Sequence, residues 1–396
     1  MDEGKLIIAH KGETWNESAA YYDAWTLRPC RRITTRGEIN QAANYHTNIG
    51  FTDDGEFLVF WTKREDRGAL CKAHVASGEI MQLTEAVSDY GFNAELQGGP
   101  YPRICIAPRS RWAVYTQGRA LLAVHLDTLE ERTLIADIGA ARQMGYPSIS
   151  ADEQYAVVPT APEHPEIVAG QRVTQGYFDA FRDPATMDMK LLQVPLAGGA
   201  ATVAYAESGC RTAHCPHSPT DPDCLLLDRD FAPRYWAGQA NRAHILQLST
   251  REITPLPTRI EGGFQVHSCW TFDGQGILYH GPAPQGGQFI GVTDVEGQVM
   301  REYHFPDRRF YGHISAMPDG RRAILDGDLS DNLLQWLDYT DEQPRLEVIA
   351  MHNTEWGSLL GQATHPHPLS DPTERWISFT TAQHGRSDVV VVQVGP

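Results

Sequence analysis

A short unit recurs along this 396-residue chain from Phe51 to the C-terminus, and it limits the possible folds more than any other feature. Each copy opens on a turn built around Asp-Gly or an equivalent pair. An apolar strand, a polar turn, a second strand, another turn and a third strand follow. The first copy reads Phe51-Thr52-Asp53-Asp54-Gly55, Phe57–Trp61, Ala69–Val75 and Glu79–Thr84. Later copies open at Ile106–Ser110, Ser148–Asp152, Pro216–Asp221, Thr271–Gly274 and Met317–Gly320, and a last one follows His367 with Trp376–Thr380 and Asp388–Gln393. Short strands at regular spacing, punctuated by turns, predict an all-β chain. Four strands per unit and a period of roughly 40–50 residues predict a β-propeller. The seven units make it seven-bladed and place residues 1–396 in one domain. A pair of β-sandwiches is the alternative, but it accounts less economically for the repeated turns.

The last unit reaches Pro396 without an outermost strand. Arg31–Thr35 reads as a short strand and is the candidate to supply it. That pairing would close the ring by joining the two chain ends and would remove open sheet edges. The residues before it, with Trp15, Tyr21, Tyr22 and Trp25, read as irregular. One long insertion, from about Ala161 to Met189, interrupts the third unit. Within it, Tyr177–Arg182 can form a helical turn with an aromatic face. Its place makes it either a packed surface loop or a lid over the propeller mouth.

In a propeller, the segments entering the innermost strands meet around the central channel. A histidine recurs there in five of the seven units: His46, His214, His267, His313 and the pair His365 and His367. Surface decoration would not keep phase with the repeat; structural capping of the inner strands is the alternative. The densest instance is Gly361-Gln362-Ala363-Thr364-His365-Pro366-His367-Pro368. Proline fixes φ and disfavours helix for the residue before it, so an extended segment is expected. Residues i and i+2 of an extended chain share a side, so His365 and His367 can aim at one point. With Gln362 and with His313 from the preceding unit, they can close on one divalent ion. Three imidazole nitrogens and an amide oxygen suit Mn²⁺, Fe²⁺, Co²⁺, Ni²⁺ or Zn²⁺ rather than Ca²⁺.

The formal net charge of −17 argues against binding nucleic-acid phosphates. An acidic sugar can still be a partner where arginine, lysine or a metal makes the site locally positive. No apolar run is long enough to span a bilayer, and Leu6–Ala9 is too short for a signal-peptide core. The seven cysteines contain no CxxC pair and read as free thiols of a reducing compartment. A cytoplasmic location is therefore expected.

Taken together, these motifs resemble the oligogalacturonate lyases of pectin breakdown, in order through most of the chain. Tyr45 to Thr84 is similar to that family's first blade, and His214 to Pro222, with Ser218-Pro219-Thr220-Asp221-Pro222, to its fourth. His267 and Trp270 resemble a His-x-x-Trp motif. Gly312-His313 and Gln362-x-x-His365-Pro366-His367-Pro368 resemble the metal ligands. The resemblance implies a cytoplasmic seven-bladed propeller with a Mn²⁺-type ion held by His313, His365, His367 and Gln362. It also implies chemical roles for His267 and Arg242 and an acidic oligosaccharide substrate. Two departures fall on the sugar-contacting wall. Where the family usually has His-Glu-Gly-Pro, this chain has Asp228-Arg229-Asp230-Phe231-Ala232-Pro233, and where it has His-Glu-x-Trp, this chain has His267-Ser268-Cys269-Trp270.

The implied chemistry is β-elimination, in which the C5 proton of a uronate is removed and the oxygen on C4 leaves. That proton is a poor acid because charge develops beside a carboxylate. A bound metal, and the forked donors of Arg242, would offset the charge. His267, a group that titrates near neutrality, is the candidate base. His46, His214 and Tyr311 are candidates for contacting the sugar, and the leaving-group acid is open between His214, Tyr311 and water. A non-catalytic propeller scaffold and a metal-dependent isomerase or hydrolase on another sugar are the rival readings. The in-phase histidines speak against the scaffold, which has no need of them.

Overall fold

The computed structural model describes residues 9–42, 45, 47–88, 102–163, 187–212, 214–231, 241–308, 312–327, 331–355, 365–383 and 385–396. All regular structure among them is β, and the strands gather into the seven consecutive antiparallel blades of a propeller. Blade two shows the plain form, with Ile104–Ala107, Trp112–Gln117, Ala120–His125 and Glu131–Ile135 paired in chain order from the centre outward. Blades five (Val266–Trp270 to Val299–Phe305) and six (Ile314–Ala316 to Arg345–Met351) repeat it.

The recurrent turn has a physical signature. In blade one the Thr52 hydroxyl donates to Asp54 Oδ1, which also accepts the Glu56 N–H, while Thr52 Oγ1 accepts the Phe57 N–H. Thr271, Asp273, Gln275 and Gly276 repeat this in blade five, and Ser150, Asp152, Gln154 and Tyr155 repeat it in blade three. Gly55 and Gly274 take φ of +67° and +69°, a left-handed conformation that glycine adopts without strain. In these three blades the hydroxyl and carboxylate thus satisfy main-chain donors where the inner strand turns into its neighbour.

The core lies between blades rather than within them. Val59, Trp61, Ile106 and Tyr115 pack blade one on blade two. Corresponding clusters follow round the ring, to Ile324, Trp336, Phe379 and Val390 between blades six and seven. Ile33, Phe51, Phe60, Val389 and Val391 then pack blade seven against blade one. Fully burying such a side chain is worth about 1.5–3 kcal/mol, so each blade is stabilised from both faces.

The N-terminal region is more ordered than its sequence suggested. Thr14–Asn16 adds an outer strand to blade one, with Trp15 opposite Ile80. Ala19–Tyr22 and Pro29–Arg32 form a hairpin on blade seven, where Cys30 lies opposite Val392 of Arg386–Gln393. The strand expected over Arg31–Thr35 therefore sits earlier, at Pro29–Arg32. The ladder ends where the Thr34 hydroxyl oxygen accepts the Val389 N–H and the Thr35 hydroxyl donates to the Glu17 carbonyl. In blade three, Tyr155–Pro162 and Asp188–Pro195 take Ala161 and Met189 into strand, so the insertion is shorter than expected. Residues 164–186, with the expected turn at Tyr177–Arg182, lie outside the described residues.

Candidate metal centre and active site

In blades six and seven the mouth histidines precede the inner strands Ile314–Ala316 and Leu369–Ser370, as the repeat suggested, whereas in blades one, three, four and five the mouth residues stand in breaks within them. In blade one, Ile39–Ala42 pairs with one half of Phe57–Arg64 and Phe51 bridges Leu58. In blade three, Arg142–Met144 and Ser148–Ile149 both pair with Tyr155–Pro162. In blade four, Cys210–Arg211 pairs with Asp230–Phe231, while His217 bridges Leu225. Tyr45, Tyr146 and His214 lie between the two halves. In blade five the break is a register shift between Val266 and Cys269, with His267 inside it at φ +50°. Bulges of this kind re-aim side chains and concentrate near functional sites.

Three of the expected metal ligands converge. Ligand nitrogens of His313, His365 and His367 all lie within 4.8 Å of one another. His313 and His367 are buried and His365 partly so. The His-Pro-His segment is not simply extended, since His367 takes φ +43°. It is held from both sides instead. The Pro366 carbonyl accepts the Thr380 N–H of blade seven at 2.8 Å, and the Pro368 carbonyl accepts the Ser315 hydroxyl of blade six at 2.7 Å. Gln362, the fourth expected ligand, lies outside the described residues, as do His46 and Tyr311.

His313 is fixed by Asp326, a residue that the sequence reading did not single out. The carboxylate accepts the His313 backbone N–H through Oδ1 at 2.5 Å and meets ring Nδ1 through Oδ2 at 2.7 Å. With Nδ1 engaged, Nε2 is the nitrogen left for an ion, and a carboxylate behind a ligating imidazole is the usual orienting arrangement. Burial pushes all three rings toward the neutral form that binds metal, and it pushes Asp326 up to about 7. A buried cluster of neutral imidazoles with no thiolate fits a divalent transition ion of borderline softness.

The remaining candidates surround this cluster. The rings of His267 and His313 are 4.4 Å apart between centroids, and His267 Nδ1 meets His280 Nε2 at 3.1 Å. Arg242 Nη1 donates to Asp228 Oδ2 at 2.7 Å, and His214 Nδ1 lies 3.5 Å from the same oxygen. The Asp228 carboxyl is buried, which raises its pKa, while Arg242 opposes the shift. The altered wall segment thus anchors two expected site residues. Tyr45 stacks on Tyr146 at 4.6 Å and touches the rings of His214, His313 and His367 at 5.4, 5.7 and 4.9 Å. Arg103 lies over Tyr146 at 5.2 Å. Tyr146 and Arg103 precede the inner strands of blades three and two, where other blades carry histidine.

Asp228, His280 and Asp326 share one place in the repeat. Each follows three buried apolar residues of a second strand: Leu225-Leu226-Leu227, Ile277-Leu278-Tyr279 and Ala323-Ile324-Leu325. An ionisable residue at that position, in phase with the mouth histidine, is the sequence signal that would have revealed them.

No protein-family model matches the chain. An oligogalacturonide lyase of Pectobacterium atrosepticum is 21% identical over 398 residues, covering 94% of this chain and 95% of that one. The oligogalacturonate lyase of Dickeya dadantii matches at 21% over 399 residues, with the same coverage. The chain resembles the oligogalacturonate lyases from end to end. Two solved structures share its fold. One, an oligogalacturonate lyase in complex with manganese, has a TM-score of 0.76 at 21% identity and covers 98% of this chain and 99% of its own. The other, the oligogalacturonate lyase of Vibrio parahaemolyticus, has a TM-score of 0.77 at 19% identity and covers 97% and 99%.

Proposed function

We propose that the protein is a metal-dependent lyase that cleaves short uronic-acid oligosaccharides of the pectin type by β-elimination. The observation that carries this reading is a cluster of three neutral imidazoles beside a separately held fourth, His267, at one mouth of the propeller. The end-to-end similarity to oligogalacturonate lyases supports it. His313, His365 and His367 would hold the ion, with Gln362 as a fourth ligand. When bound, a Mn²⁺-type ion supplies Lewis-acid neutralisation of the uronate carboxylate.

The chain's own residues do the rest. Arg242, anchored by Asp228, offsets the charge that develops beside the carboxylate. His267 takes the C5 proton. The C5–H electron pair becomes the C4–C5 double bond, and the C4–O pair leaves with the oxygen. That oxygen takes a proton from His214, Tyr311 or water, and His46 lines the sugar site. Residues 1–396 make up one propeller domain. Pro29–Arg32 acts as the clasp that closes the ring, which its pairing with Arg386–Gln393 supports. Seven free, buried cysteines support a reducing, cytoplasmic setting.

The test offers the Mn²⁺-loaded protein a panel of uronic-acid oligosaccharides. Product is followed by the ultraviolet absorbance of the new double bond conjugated to the carboxylate and by mass spectrometry. Unsaturated products from short galacturonates support the reading. Hydrolysed or isomerised products of unchanged saturation would overturn it.

A further inference from the structure

We propose that His280 is a positioning residue for His267: its Nε2 accepts the Nδ1–H of His267 and fixes the tautomer in which His267 Nε2 carries the lone pair. The inference rests on the reading of His267 as the base. It begins with register. Val266, immediately before His267, pairs with His280 across the inner two strands of blade five, and the ladder then slips before Cys269. The slip puts His267 at φ +50° and brings its Nδ1 to 3.1 Å from His280 Nε2, with ring centroids 5.2 Å apart. A main chain held in this uncommon conformation for a non-glycine residue points to a side chain whose direction matters.

One proton lies between these two nitrogens, and the role of His267 decides who gives it. His280 is fully buried, and burial keeps its ring neutral, at a pKa of about 3, with the Arg242 charge pushing the same way. A neutral ring carries one N–H. As the base, His267 needs its Nε2 unprotonated, so its one proton lies on Nδ1, facing His280 Nε2 at 3.1 Å. His280 Nε2 is then the acceptor, and the single N–H of its neutral ring is on Nδ1. The opposite arrangement would put a proton on the nitrogen that has to receive one from substrate. During turnover the C5 proton would move to His267 Nε2, and the Nδ1–H would stay where it is.

Blades four and six place carboxylates, Asp228 and Asp326, at the position His280 occupies. An imidazole there orients its neighbour without adding a charge beside the metal ligands.

The experiment compares wild type, His280→Leu and His280→Gln, all metal-loaded, on a short galacturonate. Leucine removes the acceptor, whereas the glutamine amide oxygen can replace it. His280→Leu should lower kcat about ten- to a hundredfold, the usual scale for an orienting partner, with KM and bound metal unchanged. His280→Gln should recover most of the loss. In parallel, ¹⁵N-histidine NMR of the Zn²⁺-loaded wild type, with the His267 signals identified by their absence in His267→Ala, should show the Nδ1–H tautomer. A His267 signal of the Nε2–H tautomer in wild type overturns the inference, as does unchanged kcat in His280→Leu or equal loss in both His280 variants. Absence of lyase activity in wild type defeats the functional reading, while the NMR result still decides the tautomer. If His280→Leu does not fold, His280→Gln and the wild-type spectrum still decide.

Discussion

The mouth histidines could be read from the sequence because they keep phase with the repeat and, at His365 and His367, are bracketed by prolines. Their partners could not. Asp326, His280 and Asp228 lie on second strands, where each looks like the polar end of an apolar run, and only the antiparallel register brings them back to the mouth. Asp326 follows Leu325 and His313 precedes Ile314, and Ile314 and Leu325 are paired. The next residues outward therefore face each other. Three outcomes follow at this scale. His365→Ala should lose its metal on dialysis yet keep its far-ultraviolet circular dichroism, since each blade is packed independently of the ion. Asp326→Asn should weaken metal binding about ten- to a hundredfold by titration, because a neutral amide orients the His313 ring less firmly. His267→Ala should bind metal normally and lose at least about a hundredfold in turnover, the scale of a positioned general base.

Among the elements, the repeat made the strands and turns of blades one to seven legible, since their apolar runs are flanked by turn residues of fixed type. The broken inner strands were not, because a break leaves the apolar pattern intact and only shifts the pairing. The N-terminal hairpin was missed for another reason. All four residues of Ala19–Tyr22 are exposed, so the strand has no buried face to leave a pattern. Deleting residues 1–32 should lower Tm and promote association on size-exclusion chromatography, because Arg386–Gln393 would become an unpaired edge of mostly buried valines. Ser315→Ala removes one of the two hydrogen bonds clamping the His-Pro-His segment, a loss of about 1 kcal/mol. Metal affinity should fall several-fold while Tm changes little.

For the whole molecule, acid is the expected weakness, although a net charge of −17 alone would make protonation relieve repulsion. Two histidines outside the metal cluster, His217 and His244, are buried neutral. His217, in the central channel below the mouth, bonds Ser148 and is held down to about 3 by burial, and burial holds His244 to about 4. A histidine with a depressed folded pKa takes up its proton more readily when unfolded. Its contribution is fully present above the ordinary value of 6.5 and is lost as pH falls toward the folded value. Stability should thus decline from pH 6.5 toward 4, and His217→Gln should flatten that slope by about one proton in urea titrations at stepped pH.

The central claim is that one mouth of this ring joins a metal held by histidines to a separate histidine base in an elimination. The most direct test follows the ultraviolet absorbance of unsaturated product from a short galacturonate, with wild type, His365→Ala and His267→Ala side by side at saturating Mn²⁺ and after chelation. The account predicts that wild-type turnover vanishes on chelation and returns with Mn²⁺, that His365→Ala is inactive because it holds no metal, and that His267→Ala is inactive although it does. Turnover that survives chelation, or near wild-type rates in either variant, would contradict it.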